Sequence, residues 1–249
     1  MEENKNYYGS LCTELYEILH PQAPQDELEF YLSYARPGQK ILEPLCGSGR
    51  FLVPFLAQGL DICGMDWSKE MLEKLRQKAP GAKAIQADLL TYTTDQRFDY
   101  IFISSGSVSL FTDLDVCRQI LRTLKELLTP EGRLVFAVDT VAERCPDDDG
   151  YKMSVQVKTG AGEDLVLRTQ NRYDERTQTQ FSPGIYELYR GTELVGRERM
   201  EFQTHLYRFG EMEGYLRAVG FQNIRTYSSF EKEPAVDGTS GMFLLECTR

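Results

Sequence analysis

The sequence predicts an α/β protein, a three-layer sandwich in which a mostly parallel sheet lies between helices. Two observations predict this class. Between residues 40 and 139, short apolar segments alternate with amphipathic helical segments, as in a parallel sheet covered on both faces. From residue 151 to 207 the apolar period changes to two, which is typical of antiparallel strands. We therefore expect an antiparallel β insert after the fifth strand of the core.

Two helices are predicted before the sheet begins. The stretch LCTELYEIL places leucine and isoleucine at helical spacing, and HPQAPQ ends that helix. A second helix, DELEFYLSYA, begins at Asp26. Residues 1–39 are therefore expected to form an N-terminal helical lid.

The predicted core covers residues 40–140 and 208–249. Its first five strands are Lys40 to Leu45, DICGMD, AKAIQAD, FDYIFI and RLVFAVD. The helices between them are FLVPFLAQG, SKEMLEKLRQKA with Ser68 as N-cap, and DLDVCRQILRTLKELL, which TPEG turns into the fifth strand. After the insert at 141–207, the helix GEMEGYLRAVG and the strands QNIRTYSSF and MFLLECT bring the sheet to seven strands.

Four segments of the insert alternate at period two: YKMSVQV, LVLRTQNRY, GIYELYR and RMEFQTHLYRF. Tyr186 and Tyr207 lie in this layer, and Tyr8 and Tyr16 lie in the N-terminal segment. These aromatic side chains could enclose a small acceptor. Core packing and a dimer contact are the alternatives for the same layer.

Composition limits the functional classes. The 249 residues carry a formal charge of −10, which argues against binding nucleic acid through bulk electrostatics. No apolar stretch approaches the roughly 20 residues that span a bilayer, and the N-terminus has no signal-peptide core. Six dispersed cysteines without a C-x-x-C pair suggest free thiols, and two histidines make a His-rich metal site improbable. We expect a cytoplasmic protein with no metal, no nucleic-acid partner and no membrane partner, as a monomer or homodimer.

Two glycines follow the first predicted strand, in the stretch ILEPLCGSGRFL. Gly47 and Gly49 can adopt dihedrals closed to other residues and let a ligand touch the backbone, although an ordinary turn remains the alternative. Three acids favour a site: Glu43 within the first strand, and Asp66 and Asp88 at the ends of the next two. The carboxyl ends of parallel strands meet at one edge, so these acids should form a row. Such a row would repel phosphates and suit a ligand with hydroxyls, an amine and positive charge.

These stretches resemble the motifs of the class I S-adenosylmethionine-dependent methyltransferases. ILEPLCGSG is similar to their first motif, GMDWSKEML to the second and QADLL to the third, while RFDYIFISSGSVSLF and LLTPEGRLVFAV match the fourth and fifth strands. The resemblance covers about residues 40–140 and extends to the C-terminal strand pair. One position departs from the family, because Leu45 occupies the first of three positions that commonly carry glycine. We expect binding to survive with the backbone slightly reshaped.

The resemblance implies S-adenosylmethionine as cofactor and S-adenosylhomocysteine as product. It assigns the ribose hydroxyls to Asp66, a flank of adenine to Trp67, and the adenine amine to Asp88. The full set of cofactor-binding residues expected on this basis is Glu43, Leu45, Cys46, Gly47, Gly49, Asp66, Trp67, Met71, Asp88, Leu89 and Ser104.

The acceptor is expected to be a small molecule methylated on nitrogen or oxygen by in-line displacement. The Asn/Asp-Pro-Pro-aromatic motif of enzymes acting on nucleic-acid bases or protein amides is absent after the fourth strand. His205 in the lid or Asp139 at the end of the fifth strand could accept a proton, although structural roles are the alternative for both. The residues expected to bind the acceptor are Tyr8, Tyr16, Ser105, Gly106, Tyr186 and Tyr207.

Other functions stay open at this point. A non-catalytic sensor or partner subunit would bind S-adenosylmethionine without converting it. An aminopropyltransferase would need acids after the fourth strand, where SSGS offers none. An NAD-dependent enzyme would require glycine or alanine at Leu52 to complete G-x-G-x-x-G.

Overall fold

The computed structural model describes residues 5–249, so the first four residues of the predicted lid lie outside the described residues. Its helices are α1 (Ser10–Leu19), α2 (Gln25–Leu32), α3 (Leu52–Ala57), α4 (Lys69–Lys78), α5 (Leu114–Leu127) and α6 (Glu211–Val219). The strands of its largest sheet are β1 (Lys40–Pro44), β2 (Asp61–Asp66), β3 (Lys83–Gln86), β4 (Phe98–Ile103), β5 (Leu128–Asp139), β13 (Gln222–Tyr227) and β14 (Met242–Thr248). The predicted mostly parallel sheet of seven strands is confirmed.

Strand order positions the site. The order is β13-β14-β5-β4-β1-β2-β3, with β1 parallel to both β2 and β4 and with β14 antiparallel to β5. From β1, the chain first adds β2 and β3 on one side of β1 and then adds β4 and β5 on its other side, so the strand order reverses between β1 and β4. In sheets of this kind, ligands bind in the crevice beyond the carboxyl ends of the strands at such a reversal. The turn after β1 opens onto this crevice.

Helices cover both faces of the sheet and complete the three layers. On one face α5 buries Ile120 and Leu124 with the strand residue Phe136. On the other, Phe55 of α3 and Leu72 of α4 pack in a second cluster. The predicted N-cap of α4 is confirmed, because the Ser68 hydroxyl accepts a hydrogen bond from the Met71 amide at 3.1 Å.

The predicted turn TPEG is part of β5 in the structure. Phe98 pairs with Leu128, and the next pair joins Tyr100 to Arg133, so the four residues between form an irregularity in the β4–β5 register. The strand pairing resumes across them because the apolar run that follows is buried.

The antiparallel layer has more strands than the four predicted. It consists of β6 (Lys152–Lys158), β7 (Asp164–Thr169), β8 (Arg172–Asp174), β9 (Thr179–Phe181), β10 (Gly184–Arg190), β11 (Glu193–Met200) and β12 (Gln203–His205). They form two sheets, β11-β10-β7-β6 and β12-β9-β8. Two predicted strands each split in two, at 170–171 and 201–202, and the short polar strand β9 carries no apolar alternation by which to predict it.

Helix α1 packs on the four-stranded sheet. Cys12 and Leu15 form a buried cluster with Leu165, Tyr186 and Met200. Helix α1 and the antiparallel insert therefore share one apolar cluster.

Candidate functional site

The turn after β1 has a left-handed backbone at three positions. Leu45, Gly47 and Gly49 have φ angles of 58°, 52° and 80°. A side chain at Gly49 would collide with Leu75 of α4, so this glycine permits close packing of the turn. At Gly47 the space is open apart from the Met71 sulfur, 3.7 Å from where a Cβ would lie. Gly47 is thus the glycine that presents backbone to a ligand.

Asp66, the last residue of β2, is held by the main chain around it. Its two carboxylate oxygens accept hydrogen bonds from the amides of Gly47 at 2.8 Å and Ser68 at 2.9 Å. Burial raises the pKa of this carboxyl, and the backbone donors oppose the rise. Since a carboxylate has about four acceptor positions, and the Trp67 amide also contributes a hydrogen bond, at least one position remains for a hydroxyl of a ligand.

A cavity of about 300 Å³, the distal cavity, lies beyond β2 and β3. Its lining includes Trp67, Ala87, Asp88, Leu89, Phe111 and Ile120. The Asp88 carboxylate accepts from the Leu90 amide at 2.8 Å, and the edge of Tyr7 contacts the Trp67 ring at a centroid distance of 5.4 Å. An acid beside apolar and aromatic walls suits a flat heterocycle with an amine.

A second cavity of about 330 Å³, the central cavity, adjoins the first. Both are lined by Asn6, Leu45, Trp67 and Leu110, so one elongated ligand could occupy the two together. The lining of the central cavity further includes Tyr8, Tyr16, His20, Gly47, Arg50, Asp66, Met71 and Ser105.

Arg50 lines the central cavity, and near it lies Glu43, a predicted cofactor-binding residue that lines none of the cavities described here. Glu43 is 1% exposed, and one of its carboxylate oxygens has no hydrogen-bond partner within residues 5–249. Burial raises the pKa of Glu43 well above its ordinary value, and the nearby Arg50 opposes the rise. The buried Nε of Arg50 also has no partner within the described residues. Buried polar atoms of this kind are costly unless a ligand satisfies them.

Glu27 of α2 holds the turn that follows β4. The Glu27 carboxylate accepts from the Ser105 amide at 2.7 Å, and Arg50 donates to the Ser105 hydroxyl. Ser105 and Gly106 have φ angles of 55° and 68°, so this contact fixes a strained turn at the cavity wall. Neither Arg50 nor Glu27 was predicted as a site residue; the only signal for Arg50 was its place directly after the glycine turn.

A third cavity of about 220 Å³, the side pocket, opens between α1 and the antiparallel layer. It shares Tyr8, Tyr16 and His20 with the central cavity, so the two communicate. The rest of its lining is Cys12, Leu15, Leu19, Leu167, Thr169, Ser182, Gly184, Tyr186, Met200 and Phe202.

The two predicted bases lie apart from the three cavities. His205 is 1% exposed, and its imidazole contacts the Thr177 carbonyl at 3.1 Å and the Glu211 carboxylate at 2.9 Å. Asp139 lies behind Gly106, where an added Cβ would meet its carboxylate. Burial, with the neighbouring Glu143 charge, raises the pKa of Asp139 to about 7. These contacts favour the structural alternative for both His205 and Asp139.

The other predicted residues divide between cavity walls and supports. Tyr207 is fully buried in the core with its hydroxyl 3.5 Å from the Cys117 sulfur, so its predicted contact with the acceptor does not fit. Cys46 and Ser104 are buried beneath the turns, and neither lines a cavity described above. His20 was not predicted as a site residue, yet it lines both the central cavity and the side pocket.

Comparison with known proteins agrees with this geometry. Residues 41–132 match the methyltransferase domain family. Among curated relatives, a demethylmenaquinone methyltransferase of Renibacterium salmoninarum is 31% identical over 104 residues, which is 41% of this chain and 42% of that protein. The chain thus matches about half the length of its curated relatives.

Two solved structures match over nearly the whole chain. The CcbJ methyltransferase from Streptomyces caelestis aligns with a TM-score of 0.73 at 18% identity, over 97% of this chain and 98% of that one. The sugar N-methyltransferase KedS8 from a Streptoalloteichus species aligns with a TM-score of 0.74 at 18% identity, over 94% and 91%. Residues 41–132 are therefore similar to the methyltransferase domain family, in a chain that shares its fold with solved S-adenosylmethionine-dependent methyltransferases.

Proposed function

We propose that the protein transfers a methyl group from S-adenosylmethionine to a small-molecule acceptor. The observation that carries the proposal is the joined pair of cavities, which places carboxylates from two strand ends and one guanidinium along a single groove. The donor set fits the cofactor, because it offers acceptors for hydroxyls and an amine and a donor for a carboxylate.

Each chemical group of the cofactor has a counterpart in this groove. Asp66 has a free acceptor position for a ribose hydroxyl, and Asp88 with Trp67 and Leu89 would hold adenine. Arg50, with its unpaired Nε, would bind the carboxylate of the methionine part. When bound, the cofactor supplies a methyl group already activated on a positively charged sulfur. The protein then has to align the acceptor, which can contribute on the order of 7–11 kcal/mol.

The acceptor would enter from the side pocket. In this proposal, residues 1–39 and 141–207 form the acceptor lid, and residues 40–140 with 208–249 form the cofactor-binding core. One similar protein is named a demethylmenaquinone methyltransferase and another a sugar N-methyltransferase, so these names do not identify the acceptor of this protein. The six cysteines are all unpaired, which favours a reducing compartment such as the cytoplasm. No helix within residues 5–249 is both long and apolar enough to cross a bilayer.

The test is calorimetric titration with S-adenosylhomocysteine, beside NADH. Wild-type protein is expected to bind the nucleoside and not NADH. Asp66→Asn should weaken binding about 10- to 100-fold, because hydrogen bonds to a charged group are worth about 1.5–3 kcal/mol. The matched control is Asp61→Asn at the opposite end of β2, where the side chain is exposed and paired with Lys83.

Two outcomes would overturn the proposal. If the folded wild-type protein fails to bind S-adenosylhomocysteine, the cofactor assignment is wrong. If it binds S-adenosylmethionine but yields no S-adenosylhomocysteine with any acceptor in a broad panel of amines and hydroxyl compounds, the chain acts as a sensor or partner subunit.

A further inference from the structure

The side pocket has an unusual lining for an acceptor site. Among its described lining residues there is no Asp, Glu, Lys or Arg. Leu15, Leu167, Met200 and Phe202 are among its apolar lining residues, and Tyr186 is 5% exposed. The Thr169 and Ser182 hydroxyls of the lining are already hydrogen-bonded to Ser154 and Asn171, so a ligand rich in hydroxyls or charges would lose its water here and gain few hydrogen bonds in return. The pocket therefore selects an uncharged, apolar body.

Polar groups are concentrated where this pocket meets the central cavity. Tyr8, Tyr16 and His20 line both. The rings of Tyr16 and His20 lie 4.9 Å apart, and those of Tyr8 and Tyr16 lie 5.9 Å apart. Within residues 5–249, neither tyrosine hydroxyl hydrogen-bonds to another residue. One polar end of an otherwise apolar ligand would meet these groups.

His20 is the basic side chain common to both spaces. It follows α1 as the C-cap, its side chain is exposed, and neither imidazole nitrogen hydrogen-bonds to any residue of the described chain. His205, in contrast, has both ring nitrogens engaged. His20 can thus accept a proton from a ligand and release it to water.

We propose that the acceptor is a small apolar molecule with a single phenol-type hydroxyl, its body in the side pocket and its hydroxyl beside His20, which takes the proton. This inference rests on the proposed methyl transfer and names its substrate class. The acceptor oxygen forms a bond to the methyl carbon while the carbon–sulfur bond breaks, and the bonding pair stays on sulfur as a neutral thioether. The hydroxyl proton moves to the imidazole, so charge and atoms balance without a further reactant.

The surroundings of His20 favour the neutral form that this role needs. Partial desolvation lowers the pKa of the imidazole, and the positive charge of Arg50 lowers it further. The groups that share its cavity are Tyr8 and Tyr16 from the N-terminal segment, Arg50 from the turn after β1 and Asp66 from β2. A neutral imidazole at pH 7 is a competent base.

Binding is tested first, with 4-methylphenol as probe and glucosamine as the polar comparison. Protein saturated with S-adenosylhomocysteine should bind 4-methylphenol and not glucosamine. Leu167→Gln, which puts an amide into the pocket wall, should weaken phenol binding at least 10-fold and leave nucleoside binding unchanged. Leu194→Gln, on the exposed strand β11, is the matched control and should change neither.

The role of His20 has its own readout. The chain contains two histidines, so NMR of the imidazoles gives two sets of signals, and His20→Gln assigns them. Adding 4-methylphenol to the loaded protein should shift the His20 signals and leave those of His205 in place. His20→Gln should keep phenol binding within about threefold and slow methyl transfer to phenols about 10²- to 10⁴-fold.

Each negative result shows which of the two proposals fails, the acceptor class or the methyl transfer itself. If S-adenosylhomocysteine binds and 4-methylphenol does not, or if glucosamine binds instead, this inference is wrong and the proposed methyltransferase stands. If 4-methylphenol binds without moving the His20 signals, or if His20→Gln methylates 4-methylphenol as fast as wild type does, His20 is not the base. If the nucleoside itself does not bind, the proposed function fails.

Discussion

At the scale of single residues, Leu45 in the turn after β1 has a backbone conformation that glycine adopts more easily than leucine does. Leu45 has a φ of 58°, a conformation that costs a residue with a Cβ roughly 1–2 kcal/mol. Its side chain lines both the distal and the central cavity. Leucine at this position therefore adopts a left-handed conformation that glycine adopts more easily, and it adds an apolar side chain to both cavities.

A pair of variants measures this strain. Leu45→Gly and Leu45→Ala both remove the packed side chain, but only glycine is free of the left-handed penalty. We expect the glycine variant to be about 1 kcal/mol more stable than the alanine variant in urea unfolding. Elsewhere in regular structure glycine is the less stable of the two, so the reverse order would show that the turn relaxes when Leu45 is removed.

The buried Asp139 carboxyl should make the free energy of unfolding depend on pH, with a sign that follows from its raised pKa. Burial raises its pKa in the folded protein to about 7, against 3.8 as the ordinary value, so the folded state holds a proton that the unfolded state has lost. The contribution of this carboxyl to the free energy of unfolding is greatest below about pH 4 and declines as pH rises towards 7. Asp139→Asn should therefore gain stability over wild type between pH 5 and pH 8, by a few kcal/mol. Urea unfolding of both proteins at the two pH values checks this; equal differences at both would contradict it.

At the scale of elements, α1 is fixed to the insert through its first turn. The Glu198 carboxylate of β11 accepts hydrogen bonds from the amides of Leu11 at 3.0 Å and Cys12 at 3.2 Å. These amides are unpaired donors at a helix start, and a carboxylate there also suits the helix dipole. Glycine at position 9 leaves room for that carboxylate, which a Cβ would approach to 2.7 Å.

Removing this anchor should loosen the lid without unfolding the core. In Glu198→Ala we expect faster hydrogen exchange in α1, because two amides lose a charged acceptor worth about 1.5–3 kcal/mol each. Peptides from β4 and β5 should exchange as in wild type. Glu193→Ala, at the exposed start of the same strand, is the control. Unchanged exchange in α1 would mean that apolar packing alone holds the helix.

The elements also show where the sequence was sufficient. The core strands and helices could be predicted because each carries a clear period and most polar breaks coincide with a real end, as at the Ser68 cap; TPEG, inside β5, is an exception. The insert could not be predicted in full, since β9 is polar and its partners β8 and β12 have three residues each. In the site, strand-end acids such as Asp66 were predictable from position. His20 and Glu27 were not, because only the fold brings α1 and α2 to the edge of the sheet.

At the scale of the whole molecule, the N-terminal segment and the core share one cavity. Residues of the N-terminal segment and α1 line the same cavity as the turn after β1 and the end of β2. A ligand in that cavity therefore touches both the core and the lid.

Saturation with S-adenosylhomocysteine should consequently protect α1 from exchange as well as the core loops around it. A ligand at 100 times its Kd adds about 2.7 kcal/mol to stability, which thermal unfolding would show as a raised Tm. Asp66→Asn should lose both effects at the same ligand concentration. Protection confined to the turn after β1 would show that the lid closes independently of the nucleoside.

The short segment before α1 forms a roof over the groove. Asn6 donates from its side-chain amide to the carbonyls of Leu110 at 3.0 Å and Gln203 at 2.9 Å, and its amide oxygen accepts from the Gln203 backbone. Two residues later, the Tyr8 carbonyl accepts from the Ser68 hydroxyl at 2.7 Å. These four bonds join the segment to the wall beyond β4, to β12 and to the start of α4. If a nucleoside binds beneath this segment as proposed, its release would require these bonds to break, and detachment of residues 5–8 would then limit how quickly the product leaves.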